Sequence, residues 1–504
     1  MRRTSFASKY RFICVISGIC GLFPAAIDAA SCDSLGTANP AITLAQSVPP
    51  GGFTPQGGRG AEAFKNLPAF CRVAATLKPT SDSDIRIEVW LPESGWNGKL
   101  ESVGNGAWAG TISYPEMATA LAAGYATAST DTGHTGNNAN FITGHPEKVI
   151  DFGYRAVHEM TVAAKAIIDS YYGSAPRFSY WNGCSTGGRQ ALSEAEKYPM
   201  DYDGILAGAP AIYASRLQGM QVWASQAVHK DETSYIPPSK YPLIHDAVLA
   251  QCDALDGVKD RVLEDPTKCK FDLKMLACKD GDSAKCLTAP QLEAATKLYS
   301  GPENSRTGTP LFPGLQPGSE LGWSMLAGPQ PMSLATDVYK YLVLNNPNWD
   351  YKTLDPDSDF GAAEKAIRES MDATDPNLKP FVQRGGKLLM YHGWSDPGIP
   401  PMNTVNYYKN VEAALGDASK TTNSVRLFMI PGMNHCQGGN GTDKFDGIAA
   451  LARWVENGKA PDRIEASHQT AGKVDRTRPL CPYPQVAVYK GIGSTDEASN
   501  FVCK

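Results

Sequence analysis

Ser185 sits in Gly183-Cys184-Ser185-Thr186-Gly187, a G-x-S-x-G pattern that follows the strand-like run Phe178–Asn182 and precedes a stretch predicted to be helical. A sharp strand-to-helix turn forces the serine backbone into strained dihedrals, and glycines are needed there because flanking side chains would collide with the adjoining strand and helix. A serine so placed becomes a nucleophile once a base takes its proton and a carboxylate holds that base in the right tautomer. The chain has eight histidines, and two follow late strand-like runs: His392 after KLLMY and His435 after VRLFMIPGMN. The hydrolase order of serine, aspartate, histidine selects Asp396, in His392-Gly393-Trp394-Ser395-Asp396, and then His435. His392 precedes the aspartate and is read as structural.

Both ends of this constellation carry sulfur. Cys184 precedes Ser185 and Cys436 follows His435, so contact between the serine and histidine side chains would bring the two sulfurs together. A Cys184–Cys436 disulfide is expected, closing 252 residues. Loop-closure entropy puts such a link on the order of 5 kcal/mol, an upper figure because native strain subtracts from it. Attack on an acyl carbon also needs donors for the oxyanion, roughly 3 to 4 kcal/mol for one. The first expected donor is the backbone N–H of Thr186. The second is expected from the loop Gly104-Asn105-Gly106-Ala107-Trp108-Ala109-Gly110, which follows an early strand; its alternative is a plain tight turn.

These residues need a scaffold. Three β-branched or aromatic runs lead into glycine-rich or polar loops: Ile85–Leu91 into Leu100–Gly106, Tyr125–Ser129 into Asp131–Gly136, and Phe178–Asn182 into Gly183–Gly188. Helical segments such as His158–Tyr172 lie between them, and the alternation predicts a parallel α/β sheet whose loops share one edge. The pattern breaks after Ile205–Pro210, resumes at Lys387–Tyr391 and Val425–Ile430, and closes with a helix from about Lys444 to Glu456. A βαβ crossover takes about 30 residues, so the long intervening stretch is read as an inserted domain over the strand ends. The expected division is 31–211 and 381–504 for the core and 212–380 for the insertion.

With 504 residues and 42% hydrophobic content, the chain can bury a large core, which excludes a disordered tail or a collagen-like repeat. Forty-seven basic against 52 acidic residues give no pull toward phosphates or anionic lipid, so nucleic acid and membrane surfaces are not expected partners. Arg2, Arg3, Lys9 and Arg11 precede the apolar run Phe12 to Ile27, and small residues follow, the layout of a secretory signal peptide over residues 1–30. The run is short for a membrane span and is interrupted by Gly18, Gly21 and Pro24. Beyond it lie ten cysteines, an even set that suits an exported chain, and the sequence-near pairs suggest Cys252–Cys269, Cys278–Cys286 and Cys481–Cys503. No C-x-x-C pair occurs, so structural zinc is not expected.

Within the insertion, Asp253, Asp256 and Asp260 cluster in eight residues, spacing that suits either a hard cation such as calcium or a solvated acidic turn; the register is not that of an EF-hand. The Cys-Ser, Asp, His-Cys arrangement, together with GCSTGGRQ, HGWSDPGIPP, PGMNHCQGG and RPLCPYP, resembles the tannase and feruloyl esterase family, which also includes hydrolases of mono(2-hydroxyethyl) terephthalate. The resemblance runs from about Cys32 to Cys503 and implies an α/β-hydrolase core with a large inserted lid domain. It also implies a Cys32–Cys71 disulfide and a structural calcium ion in the lid, held by Asp253, Asp256 and Asp260 side chains and the Val258 and Val262 carbonyls, with no organic cofactor. Lys259 counts mildly against the ion. Family members usually carry a second glycine where this chain has Ala107; a methyl group leaves the N–H in place, so Ala107 is assigned as the second oxyanion donor, with Gly106 as the fallback.

The expected activity is that of a secreted or periplasmic serine esterase, not membrane-bound after signal removal, acting on small or plant-polymer-linked esters of phenolic acids. Feruloyl esters come first and galloyl esters second; a terephthalate half-ester is disfavoured because Ile399 lacks the aromatic ring seen near there in that subgroup, and no arginine for a substrate carboxylate is identified. Trp323, Tyr339, Tyr341 and Trp349 in the lid either stack on an aromatic acid or form lid core. Two rivals are a secreted peptidase with the same triad and a non-catalytic calcium-dependent binding protein on a hydrolase fold.

Overall fold

The computed structural model describes residues 31–55, 61–417 and 421–504. The expected signal segment, with Cys14 and Cys20, lies outside the described residues. Nine strands form one sheet: β1 (Ile42–Val48), β2 (Phe70–Leu77), β3 (Ile85–Pro92), β4 (Lys99–Val103), β5 (Ala126–Thr130), β6 (Phe178–Cys184), β7 (Gly204–Gly208), β8 (Lys387–Gly393) and β9 (Val425–Ile430). Their order is β1-β2-β3-β5-β4-β6-β7-β8-β9. From β5 to β9 neighbouring strands are parallel.

Two sequence expectations are corrected here. The sheet is mixed, not parallel throughout, because β1, β2 and β3 are joined antiparallel to one another and to β5. And Leu100–Gly106, read as a loop, contains β4. Its sequence, KLESV, lacks a hydrophobic run, yet Glu101 and Ser102 are buried, and Glu101 is satisfied by Asn182 Nδ2 at 3.0 Å. A strand whose buried carboxylate is satisfied by its neighbour leaves no apolar signature at that position.

Buried side chains alternate along the central strands, as a sheet covered on both faces requires. Trp181, Ile205, Leu388 and Met390 point into one core with the helices Ala156–Tyr172, Thr186–Lys197 and Pro401–Leu415, while Tyr180, Leu206, Leu389 and Phe428 join the opposite core with the helix Gly447–Asn457. From β4 the chain moves outward to β5 in one direction and through β6 to β9 in the other, so the switch point lies between β4 and β6. Loops at the carboxyl ends of strands on either side of a switch point frame a crevice. The loops of β4, β6, β8 and β9 carry Ala107, Ser185, Asp396 and His435.

Between β7 and β8 the chain forms no strand of this sheet. It folds instead into helices that include Ala214–Val228, Tyr241–Cys252, Ala289–Ser300 and Pro356–Met371. These bury a core of their own around Leu217, Met220, Ile244, Leu298, Trp323, Tyr339 and Phe360. After the last helix come two antiparallel pairs that the sequence reading missed, Ile464–Thr470 with Lys473–Leu480 and Ala487–Tyr489 with Phe501–Cys503.

All five expected disulfides are present: Cys32–Cys71, Cys184–Cys436, Cys252–Cys269, Cys278–Cys286 and Cys481–Cys503. Among the described residues no helix is long and apolar enough to cross a membrane.

Candidate active site

Ser185 occupies the turn between β6 and the helix Thr186–Lys197 with φ 64° and ψ −120°. A non-glycine residue there costs on the order of 1–3 kcal/mol and persists only when its surroundings over-determine it. Here they do. The Ser185 N–H donates to Gly208 O at 3.0 Å, and its carbonyl accepts from Arg189 N at 3.0 Å and Ala211 N at 3.1 Å. A Cβ on Gly183 would lie 2.5 Å from Gly187 O, so the flanking glycine is required by packing, as expected.

Asp396 has no exposed side-chain surface, and four donors converge on it. Oδ1 accepts from the backbone of Gly398 and Ile399 at 2.8 and 2.9 Å. Oδ2 accepts from His435 Nδ1 at 2.7 Å and His392 Nε2 at 3.1 Å. Burial works against charge on this carboxyl, but the His435 charge and the two histidine hydrogen bonds outweigh it and hold the group well below the usual carboxylate range. Burial also disfavours an imidazolium at His435; the Asp396 charge outweighs that too and raises the histidine above its ordinary value. With Nδ1 donating to Asp396, His435 Nε2 is left as the proton acceptor.

His392 is structural, as read from the sequence. Its Nε2 faces Asp396 and also Ile399 O at 3.1 Å; a carbonyl only accepts, so Nε2 carries the proton and Nδ1 takes a hydrogen bond from Thr404 Oγ1 at 2.7 Å.

The loop after β4 packs directly on the turn that carries Ser185. A Cβ on Gly104 would meet Gly187 Cα at 2.6 Å, so this approach admits only glycine. Gln190, on the helix after Ser185, grips Asn105 twice: Oε1 accepts from its backbone at 3.1 Å and Nε2 donates to its Oδ1 at 3.0 Å. Thr186 Oγ1 donates to Ala107 O at 3.0 Å. Thr186 opens its helix, where the first N–H groups have no intrahelical acceptor. Ala107 has φ 49°, a left-handed conformation that glycine adopts without strain.

Ser185, His435, Thr186, Gly106, Ala107 and the Cys184–Cys436 sulfurs share one cavity of about 580 Å³. Trp108 and Phe152 form one wall, their rings 4.6 Å apart, and Leu217, Met325, Met332 and Leu334 form another. A serine hydroxyl and a histidine that line one apolar chamber are groups that, once in hydrogen-bond contact, can open an ester or amide through a tetrahedral intermediate.

A family model described as "Tannase and feruloyl esterase" matches residues 71–504. The chain belongs to the tannase and feruloyl esterase family. It is a carboxylic ester hydrolase. An uncharacterized esterase of Xanthomonas campestris pv. campestris is 38% identical over 96% of this chain and 92% of its own. The protein named "probable feruloyl esterase B-2" of Neosartorya fischeri is 35% identical over 86% of each chain. Feruloyl esterase B from Aspergillus oryzae, a solved structure, superposes with a TM-score of 0.87 at 32% identity, covering 94% of this chain and 99% of that one.

In this member of the tannase and feruloyl esterase family Trp323 and Tyr339 are core, and Tyr341 and Trp349 are half-buried. Trp323 is fully buried, donates Nε1 to Ser319 Oγ at 3.0 Å and packs on Tyr299 and Tyr241. Tyr339 stacks on Trp349 at 5.0 Å, and Tyr341 joins a separate cluster with Val338. None of the four lines the cavity. Large rings are what the insertion uses to fill the space between its helices. Flexible Met325 and Met332, which carry no such signal in sequence, supply the wall instead. Arg189 borders the cavity too, but its guanidinium donates to Gly153 O at 2.7 Å and to Met371 O and Phe152 O at 3.4 Å. Burial lowers its pKa to about 10, so it stays charged at neutral pH while serving backbone carbonyls.

At the acidic cluster, Asp253 Oδ1 accepts from Arg261 N at 3.0 Å, Asp256 Oδ1 from Val258 N at 2.8 Å and Asp260 Oδ1 from Val262 N at 3.2 Å. Burial, and then the charges of Asp260 and Asp253, push the Asp256 carboxyl up to about 6. A divalent cation would relieve that mutual repulsion, but among the described residues Asp253, Asp256 and Asp260 do not form a group whose carboxylate oxygens all lie within 4.8 Å of one another. The second oxygen of Asp260 is engaged by Arg478 and, at 3.7 Å, by Arg476. Lys259 is exposed.

Removing the sulfur link, as Cys184→Ala/Cys436→Ala, should lower stability by up to about 5 kcal/mol in denaturant titration. It should also cut ester turnover under conditions where the variant is still folded. Full activity in that variant would separate the link from the site's geometry.

Proposed function

We propose that this chain is an exported serine esterase that hydrolyses esters of phenolic acids, of feruloyl esterase type. The observation that carries the reading is the shared cavity in which Ser185 and His435 meet apolar and aromatic walls, in a chain similar to proteins named feruloyl esterases. Ser185 Oγ attacks the ester carbonyl while His435 Nε2 takes its proton. Asp396 keeps that imidazole oriented and stabilises the imidazolium. The N–H groups of Thr186 and Ala107 receive the oxyanion, and proton return from His435 releases the alcohol. Water then enters, gives its proton to His435 and opens the acyl-enzyme. Residues 212–380 act as a lid that supplies the acyl wall. Five disulfides suit an oxidising compartment, which supports export through the signal at residues 1–30. A terephthalate half-ester is disfavoured, since Arg189 is committed to carbonyls and Ile399 stands where an aromatic would be expected.

A structural calcium ion is proposed at Asp253, Asp256 and Asp260 with the Val258 and Val262 carbonyls, supported by the raised Asp256 carboxyl and requiring the loop to draw its carboxylates together on binding. It supplies no chemistry to the ester and holds the loop beside the Cys252–Cys269 bridge.

Three measurements test these assignments. On a panel of methyl ferulate, methyl gallate and a terephthalate half-ester, kcat/KM should be highest for ferulate, and Ser185→Ala should lose about 10⁶-fold in kcat with an unchanged thermal midpoint. Residual turnover within tenfold of wild type would remove Ser185 from the mechanism. The acid limb of kcat/KM reports His435: the imidazolium cannot accept a proton, and the raised pKa places the limb above about 6.5. In Asp396→Asn the limb should move down and kcat should fall about 10⁴-fold; a flat profile from pH 4 to 8 in the parent enzyme contradicts a histidine base. Chelation should lower the thermal midpoint and calcium should restore it, a saturating ion being worth about 2.7 kcal/mol at 100-fold over its Kd. An unchanged midpoint rules out the ion.

A further inference from the structure

Two amides in the cavity are left over by this mechanism. Gln218 and Gln221 lie three residues apart on the helix Ala214–Val228, so they share a face, and both line the chamber that holds Ser185. They are 6% and 2% exposed, and the Oε1 atom of each has no hydrogen-bond partner. The orientation of Gln221 is fixed: its Nε2 donates to Gly398 O at 2.9 Å, and reversing the amide would set oxygen against oxygen. Its Oε1 is therefore a true acceptor, beside the apolar Leu217, Met325 and Ile399. A buried acceptor without a donor costs about 1–3 kcal/mol, and native proteins keep few of them.

We infer that Gln221, seconded by Gln218, is the acceptor that recognises a hydroxyl on the acyl group's ring. This rests on the phenolic-ester reading above and narrows it: the chamber selects acids that carry a hydroxyl donor on the aromatic ring over the same acids without one. A site built around a buried polar group rejects the analogue that leaves it unpaired far more strongly than an apolar pocket discriminates by shape. The alcohol side of the ester could also present hydroxyls, so the test uses methyl esters, whose alcohol has none to offer.

The experiment compares kcat/KM for methyl 4-hydroxycinnamate and methyl cinnamate in the full-length enzyme and in Gln221→Leu and Gln218→Leu. Wild type should prefer the hydroxylated ester by at least tenfold. The ratio should fall to within about twofold in Gln221→Leu and partway in Gln218→Leu. Gln221→Leu also removes the bond to Gly398, in the Asp396 loop, but a loosened loop slows both esters alike and leaves the ratio where it was. Gln218→Leu removes a side chain whose Oε1 has no partner and so keeps the comparison readable if Gln221→Leu folds poorly. Equal wild-type rates on the two esters, or a preference that survives both substitutions, would overturn the inference while the phenolic-ester reading stands. Failure on both cinnamates, with turnover of a p-nitrophenyl alkanoate intact, overturns the two together.

Discussion

The pairing of Asp396 with His435 is the constraint around which the fold is arranged. A carboxylate without solvent contact is stable only if its lone pairs are filled, and this one takes two backbone N–H groups and two imidazoles. Those donors come from the end of β8, from the loop after it and from the loop after β9, which must stay in register. Adjacent parallel strands supply the register, and the loops are joined beyond the sheet as well: Trp394 N donates to Ile430 O at 2.9 Å and Ser395 N to Met433 O at 3.0 Å. His392 contributes without facing the cavity. By filling the rest of Oδ2 it keeps Asp396 ionised and unable to turn away from His435.

Ser185 and Cys436 have the same unusual backbone sign, φ 64° in each; Ser185 adjoins one member of the sulfur link and Cys436 is the other. Two locally unfavourable conformations are thus held by one covalent connection spanning 252 residues. The energy scale is consistent. Two strained residues cost a few kcal/mol together, and a closure of that length offsets on the order of 5. Close backbone packing completes the hold, because Gly104 sits against Gly187 and sets the loop after β4 on the turn that presents Ser185. The site is thereby formed by contacts among four loops, none of which could keep its shape alone.

What the sequence disclosed follows from which signals are local. The turn at Ser185, the order of Asp396 and His435 and the sulfur pair were legible because each is a short motif with steric or covalent meaning. The central strands were legible because burial on both faces makes them continuously apolar. β4 was lost because Glu101 and Ser102 are buried polar residues, and the partner of Glu101, Asn182, is 81 residues away. β1 and β2 were lost at the half-exposed edge of the sheet, where Gln46, Ser47 and Arg72 interrupt the apolar pattern. The lid aromatics were open to two readings for a related cause: a tryptophan that fills a helical core and one that walls a cavity have the same neighbours in sequence. Gln190 stands inside GCSTGGRQ and could have been found there, as the residue one helical turn after the nucleophile that faces the β4 loop. Met325 and Met332 carry no comparable sign.

The two parts of the chain also divide the chemistry. Every atom proposed to make or break bonds comes from loops of the sheet, while Leu217, Met325, Met332 and both glutamines come from the segment between β7 and β8. The segments meet at several polar points, among them Trp108 Nε1 to Leu334 O, Asn403 Nδ2 to Ile212 O and the Gln221–Gly398 hydrogen bond, the last linking the lid helix to the loop whose N–H groups hold Asp396. Substitutions along the lid helix can therefore change which acid is accepted without moving a reacting group, except at Gln221. There, one side of an amide faces the substrate chamber and the other bears on the aspartate loop, so selectivity and rate are coupled through a single side chain. A variant that alters the acceptor yet keeps a donor to Gly398 O would separate the two effects, whereas loss of the whole amide merges them.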